Sequence, residues 1–424
     1  MKNKIWFILF FTGQSLYLFS QSVATSPYSV YGLGSLYESD FGSIPSIGSS
    51  GIALPSTSFI NNKNPASLAY IGKNSFFFDI GLKGMQTTYN SQTSNEKRNN
   101  FQFSHIAIGF PINSKSGVSA SLKPYSSATY LISNYEIPIS NSNESYYLDA
   151  ASYGGINSFD LSYGYKVQKK ITLGLTTSFY FGTINDNKDF TIANSITNIN
   201  KKSFYNGVRF TLGNQIKIDS TFNIGLTIKS PTKLSASKTQ SVTTENLTGT
   251  QYVETAVDSD VTDYYLPLEF GVGFSKAFKK NISLTFDYEK SLWNGTNQTH
   301  IYGEFKNQDK FALGLSYFKK EHSIYFSDRI HYFTGINYDT GFLSINNKNV
   351  NNLAFSLGVG IPVDNTKSLL NITYSYGQKG SIGNDLIKEN YHKIGINLSL
   401  EAIWFVKRKY NSTSKHSKKG NVKW

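Results

Sequence analysis

Leu369-Leu-Asn-Ile-Thr-Tyr-Ser-Tyr-Gly377 and Ile394-Gly-Ile-Asn-Leu-Ser-Leu-Glu401 decide the fold class. In the first, Leu370, Ile372, Tyr374 and Tyr376 alternate with Asn371, Thr373, Ser375 and Gly377; in the second, Ile394, Ile396, Leu398 and Leu400 alternate with Gly395, Asn397, Ser399 and Glu401. Side chains of a strand point alternately to opposite faces, so this beat makes one face apolar and the other small and polar. The beat recurs at 159–167, 171–182, 204–213, 222–229, 266–275, 282–289, 311–318 and 353–361. Four further candidates, 75–89, 100–110, 117–132 and 328–341, bring the expected number of strands to fourteen.

A soluble sandwich also alternates, because one face of each sheet is wet. Here the apolar face continues through nearly every strand, and the polar face is Gly, Ser, Thr and Asn with scattered charges. Inside a bilayer no water is left to bond the backbone, so a sheet can cross only as a closed barrel. The connections alternate as such a barrel requires. Short, often Lys-bearing turns lie at 111–116, 168–170, 218–221, 277–281, 319–326 and 362–367. Longer polar segments lie at 90–99, 133–152, 183–203, 230–265, 290–310, 342–352 and 378–391, with 230–265 expected as the largest outer loop. The expected fold is therefore an all-β, transmembrane antiparallel barrel of fourteen strands over 75–405, with both ends in the periplasm.

Composition agrees with that reading. The 424 residues hold no Cys, 29 Tyr, 31 Phe, 34 Gly and only 10 Pro. Tyr suits an interface that is apolar on one side and wet on the other. The absence of Cys removes disulfides, thiolate metal sites and Cys nucleophiles together. The net charge of +13 does not point to nucleic acid: the lysines sit in turns (Lys169-Lys170, Lys279-Lys280, Lys319-Lys320) and in the tail, not on one face among aromatics. The six His show no metal-ligand spacing, and no Ser/His constellation accompanies Asp287 and Glu289, so neither an enzyme, a metal nor a cofactor is expected.

Lys2 and Lys4 followed by the apolar run Ile5–Phe11 read as a signal peptide over 1–20, which implies export to the bacterial outer membrane. Residues 21–74 are rich in Ser, Gly and Asn without strong periodicity. A fourteen-strand lumen is too wide for wall side chains to fill, so this segment is expected inside it as a plug, or hatch. After Val406, the stretch 406–424 reads as a flexible basic periplasmic tail.

Five stretches resemble the FadL type of long-chain fatty-acid and hydrophobic-compound outer-membrane transport proteins, including its divergent Bacteroidota branch. They are Ile47–Leu54 (IGSSGIAL) followed by Asn64-Pro65-Ala66 in NNKNPASLAY; Leu122–Ser127 (LKPYSS); Ile228–Leu234 (IKSPTKL); Leu266-Pro267; and Ser283–Trp293 (SLTFDYEKSLW). The resemblance spans about 22–405 and agrees in strand number. It implies passive, non-catalytic uptake of hydrophobic small molecules such as long-chain fatty acids, with outer-membrane lipid as surroundings. It also implies hatch or gating residues at Asn64, Pro65 and Ala66, and a kink opening the wall sideways at Lys123, Pro124 and Tyr125. Asn followed by Pro is equally a common helix start, and Pro in a strand is confined to edges or bulges. Inward Arg209, Lys229 and Arg329 are candidates for a ligand carboxylate, with Asp160, Asp287, Glu289 and Glu401 available to pair with the inward cations instead. The outer loops at 133–152 and 230–265 are mostly polar, unlike the family's. With the basic tail, they suggest an alternative: an accessory barrel in an outer-membrane assembly or secretion complex, with protein partners.

Overall fold

A computed structural model describes residues 26–403 apart from 247, 248, 250, 259–262, 279, 280, 301, 302, 321, 322, 364–366, 384 and 385. The expected signal peptide, 1–20, and basic tail, 406–424, lie outside the described residues.

Among the described residues, fourteen antiparallel strands close into a barrel. In chain order the wall is Ser75–Asn90, Asn95–Asn113, Ser116–Pro124 with Tyr130–Pro138, Ser145–Lys166, Ile171–Ile192, Ser195–Lys217, Phe222–Lys229 with Thr232–Asn246, then Gln251–Asp258 and Tyr264–Leu266 with Glu269–Phe278. It continues as Ile282–Ser291, Gln308–Phe318, His331–Asp339, Asn352–Pro362, Leu369–Lys379 and Lys388–Ile403. The first strand pairs with the last from Ser75↔Ile403 to Asn90↔Lys388, which closes the ring.

The alternation of 369–377 becomes an inside-out burial pattern. Ile372 and Tyr374 are 39% and 43% exposed, whereas Asn371 and Thr373 are each 1%. Leu353, Phe355 and Leu357 are likewise exposed beside buried Ala354 and Ser356. A water-soluble sheet would bury the first set; a hydrocarbon solvent reverses the preference.

The wall is taller than a bilayer. About 9–11 residues suffice to cross, yet Ser145–Lys166 and Ile171–Ile192 have 22 residues each and Ser195–Lys217 has 23. Consequently much of the expected loops 133–152, 183–203 and 230–265 is strand: Ile192↔Ser195 closes one tall hairpin, and Lys238↔Asp258 to Glu245↔Gln251 pairs another. Beyond the lipid both faces are wet, so the hairpin over 183–203 carries Thr, Ser, Asn and Lys on both sides and loses the apolar beat. The expected strand 328–341 begins only at His331, because Phe326–Arg329 forms a 3-10 turn. Arg329 thus stands in a connection at the barrel end that carries Ser75, its guanidinium 6.0 Å from the Phe326 ring centre.

Residues 26–74 touch strands all the way round the ring, which is possible only from inside it. Gly48 N–H donates to Ser356 Oγ at 3.1 Å, Gly51 and Ile52 N–H donate to Asp287 Oδ2 at 2.6 and 3.0 Å, and Asn64 Nδ2 donates to Asn214 O at 2.9 Å. Ser46 Oγ meets Thr373 Oγ1 on yet another strand. Ile44, Ser46, Ser50, Asn64 and Ser67 are wholly buried. The segment has little regular structure: 3-10 turns at Pro27–Val30, Ile44–Ile47 and Pro65–Tyr70, and the strand Ser35–Leu36. Its backbone groups are satisfied instead by the small polar face of the wall, and buried polar groups need such partners. Phe41, Ile60, Leu68 and Ile71 form an apolar cluster with Phe77 and Ala107 of the wall.

Candidate functional site

Asn64 caps the 3-10 turn Pro65–Tyr70, with Pro65 at its first position. Asn64 Oδ1 accepts the Ala66 N–H at 3.1 Å, while Nδ2 donates to Ile52 O and Asn214 O, each at 2.9 Å. One side chain therefore ties together the turn, the preceding stretch of the segment and the wall. The wall makes room with glycine: a Cβ at Gly213 would overlap Asn64 Oδ1, and one at Gly174 would overlap the Ala66 N–H. Helix start and wall anchor coincide in Asn64, Pro65 and Ala66.

Beside this seat, Lys63 Nζ reaches Glu289 Oε1 of the wall at 2.9 Å and Asp40 Oδ1 at 3.8 Å. Burial alone would lower the ammonium pKa, but Asp40 and Glu289 outweigh it and hold Lys63 well above its ordinary value.

The third wall strand is broken. Ser116–Pro124 and Tyr130–Pro138 both pair with the fourth strand, but the residues between them drop out of the regular ladder and keep only single bonds to it, among them Ala128 N–H to Gly154 O at 3.0 Å. Tyr125 N–H still donates to Ile156 O, while its carbonyl accepts the Tyr37 N–H; both are 2.8 Å. Ser126-Ser127 pair with Ser35-Leu36 of the inner segment. Lys123 Nζ bonds Asp160 Oδ2 at 2.9 Å, and Tyr125 meets Tyr180 edge-on at 4.7 Å. Gly154, at φ +101, lies opposite the break. On the other side, the second strand pairs with the third only as far as Ile106↔Leu122. Among the described residues, the ladder shows no pairing between 95–105 and Tyr130–Pro138, so the hydrogen-bonded ladder has a lateral gap there. Phe101, Phe103, Leu131 and Tyr135 stand exposed along it.

His105 sits where that pairing stops. Its Nε2 is 2.8 Å from Asp79 Oδ1, its ring stacks on Phe41 at 3.9 Å, and Asp79 Oδ2 accepts from Ser399 Oγ at 2.5 Å. Only the strand register brings Asp79, His105 and Ser399 together, so no local spacing announced them.

Arg209 and Lys229 share one carboxylate. Arg209 Nη1 lies 3.0 Å from Glu269 Oε1, and Lys229 Nζ lies 2.8 Å from Glu269 Oε2. Arg209 Nε donates to Ser230 O at 2.9 Å, and Nη2 to Pro267 O. Pro231 and Pro267 lie where two neighbouring strands break, between the paired positions Lys229↔Glu269 and Thr232↔Leu266. Pro cannot donate to a ladder, and the Arg209 guanidinium takes up the carbonyls left over. IKSPTKL and Leu266-Pro267 are two halves of one stapled break. Asp160, Asp287, Glu289 and Glu401 are occupied as well, Glu401 by Ser75 Oγ at 2.6 Å. Arg329 belongs instead to the 3-10 turn Phe326–Arg329, outside the wall strands.

A cavity of about 230 Å³ lies between the inner segment and the wall, on the side away from Ser75. Tyr28, Leu36, Tyr37, Met85, Phe342 and Tyr391 give it apolar walls, and Lys83, Lys310, Lys379 and Lys393 bring four ammonium groups to it. Asn100 and Gln102, also in its lining, belong to the stretch of the second strand that borders the lateral gap. Glu38 faces into it, its side chain 38% exposed. Lys310 beside Glu38, reinforced by Lys393 and Lys63, holds that carboxyl down at about 2. None of these lysines was a candidate in the sequence, where nothing marked them off from lysines facing solvent.

Solved structures share this architecture at low identity. A Pseudomonas aeruginosa FadL homologue superposes with a TM-score of 0.62 at 12% identity, covering 87% of this chain and 99% of that one. The P. putida toluene transporter TodX gives 0.61 at 12%, covering 88% and 99%. The Ralstonia pickettii toluene transporter TbuX gives 0.60 at 14%, covering 85% and 98%. The likeness to the FadL type is thus one of fold. No curated protein matches the sequence. The family model that does match is that of BamG, over residues 1–411, and the chain belongs to the BamG family.

Proposed function

We propose that this protein is an outer-membrane barrel that takes up hydrophobic, amphipathic small molecules passively. The cavity carries this reading: apolar walls topped by ammonium groups, beside the stretch where the third strand leaves the wall. A ligand would enter from the end with the tall hairpins, bind between inner segment and wall, and leave sideways past Phe103 and Tyr125. Residues 21–74 would act as the hatch, with Asn64, Pro65 and Ala66 as its seat and Lys123, Pro124 and Tyr125 at the lateral opening. The neighbours of like fold, a FadL homologue and toluene transporters, support this direction. Arg209 and Lys229 would serve the wall rather than the ligand, because Glu269 and backbone carbonyls occupy them.

A second reading makes the barrel an accessory subunit of an outer-membrane assembly. The family match to BamG, rather than to a hydrophobic-compound channel family, favours it. The tall polar hairpins around Ile192–Ser195 and Lys238–Asp258 would then be docking surfaces. Native mass spectrometry of the protein drawn from its own membrane in mild detergent separates the two. Lipid or fatty acid carried by a monomer supports uptake. Stoichiometric protein partners without small ligand overturn it in favour of the subunit reading.

A further inference from the structure

Three carboxylates face the cavity alongside its four ammonium groups: Glu38, Asp339 and Glu389. Asp339 is fully engaged in the wall. Gln308 Nε2 donates to both its oxygens at 2.8 Å, the Gly341 N–H donates to Oδ1 at 2.7 Å, and Lys310 Nζ is 3.7 Å away. Glu389 accepts Ser26 Oγ and lies near Lys379. Glu38 differs in two ways. It belongs to the inner segment, not to the wall, and its side chain points into open space. Lys310 Nζ meets Glu38 Oε1 at 3.3 Å, long for a charge-assisted bond. Lys83 Nζ lies 3.4 Å from the Glu38 carbonyl and 4.5 Å above the Tyr37 ring.

A carboxylate held loosely among lysines, at the polar end of an aromatic slot, has the geometry of a bound amphiphile head. We propose that Glu38 is a built-in competitor: it occupies the head subsite for an anionic amphiphile, and such a ligand binds by displacing it from Lys310. The inference rests on the reading of the cavity as a ligand site and adds its ligand class and its self-inhibition. Displacement has a route to the lateral gap. Leu36, two residues before Glu38, pairs with Ser126 inside the third-strand break, so a shift of Glu38 pulls on the segment that bends out of the wall. With Glu38 in place the cavity lining sums to four cations against three anions, and without it to four against two.

The test is calorimetric titration of the full-length protein in detergent with three twelve-carbon probes: dodecanoate, dodecyl phosphate and neutral dodecanol. Removing one like charge a few ångströms from the head strengthens binding about tenfold or more at the effective dielectric of a partly wet site. Glu38→Gln is expected to raise affinity for the anionic probes by that factor and leave dodecanol unchanged. A gain for dodecanoate alone, or for dodecyl phosphate alone, also supports the proposal and identifies the head group. Lys310→Gln, which does not depend on how Glu38→Gln folds, is expected to weaken the anions about tenfold and spare dodecanol. Equal affinities of wild type and both variants for all three probes overturn the Glu38 proposal while the cavity stands as a ligand site. Absence of binding by every probe overturns both.

Discussion

Asn64→Ala removes three hydrogen bonds of 2.9–3.1 Å, and a longer one to Leu226 O at 3.4 Å, from one buried point. The Ala66 N–H loses its cap, worth about 1 kcal/mol. The carbonyls of Ile52 and Asn214 lose a donor, at about 1 kcal/mol or more each. The sum, about 3 kcal/mol, falls on the contact between inner segment and wall, because none of these bonds belongs to the barrel ladder. At 1.4 kcal/mol per tenfold, local opening of the seat becomes roughly 100-fold more frequent. Hydrogen exchange followed by mass spectrometry reads this directly. Amides in 51–69 should exchange about 100-fold faster than in wild type, while the ladder amides of Leu369–Lys379 keep their rates. Asn64→Asp is a sharper control. It retains the acceptor for Ala66 N–H but turns a carboxylate oxygen toward the Ile52 and Asn214 carbonyls, so it should loosen the seat further. Exchange over 51–69 within about threefold of wild type in both variants would refute the idea that Asn64 anchors the segment.

Three more expectations follow from the same contacts. Arg209→Met strips Glu269 of a buried partner and leaves the Ser230 and Pro267 carbonyls unserved. It should destabilise the barrel by about 3–5 kcal/mol, seen as a lower temperature at which compact migration on an SDS gel is lost, with partial recovery in Arg209→Met/Glu269→Gln. Glu38 has its folded pKa depressed to about 2 by Lys310, so its contribution is present above the unfolded value near ~4.3 and is lost as pH falls toward about 2. Amides at 35–40 should lose protection across that acid window, and Glu38→Gln should flatten the profile. A Cβ at Gly155 would overlap Ser126 O; Gly155→Ala should therefore raise proteolysis within 125–130 while leaving the closed barrel's circular dichroism unchanged.

What was legible in the sequence is what lipid dictates. Ile372 and Tyr374 had to face out because hydrocarbon surrounds the wall, so the beat of 369–377 carried both strand and orientation. The tall hairpins escaped because residues such as Thr183–Ser203 lie beyond the lipid, where alternation has no cause. The break at Pro124 left a local mark, but its depth did not: only register shows Ser126-Ser127 taking their ladder pairing from Ser35-Leu36. Charges inside the lumen were hardest. Arg209 and Lys229 read as inward cations with Asp160, Asp287, Glu289 and Glu401 as possible partners, until the register set Glu269, which was not among them, opposite Lys229. Asp79 and His105 are 26 residues apart yet 2.8 Å apart in space. A single bulge near Gly81 and Leu82 shifts the pairing of the first two strands, and beyond such a slip every side chain changes face.

The placement of bonds along the inner segment bears on both functional readings. From Ile44 to Ile71 the segment is anchored by buried bonds to strands on every side: Ser46 to Thr373, Gly51 to Asp287, Asn64 to Asn214. Between Gly34 and Glu38 its ties are weaker and border open space: the two-residue pairing with Ser126-Ser127, the Tyr37 N–H bond, the long Lys310–Glu38 ion pair, and Lys83 at 3.4 Å from the Glu38 carbonyl and over the Tyr37 ring. Opening the lower part breaks many buried bonds together, whereas shifting the upper part breaks few. On the uptake reading, a ligand with modest binding energy would move the part beside the cavity and the third-strand break and leave the more heavily bonded stretch from Ile44 to Ile71 in place, and passage sideways would need only the first movement. On the subunit reading the same asymmetry makes the lower segment a permanent stopper, and it leaves the region around Leu36, Glu38 and the lateral gap as the part of the barrel able to respond to a partner.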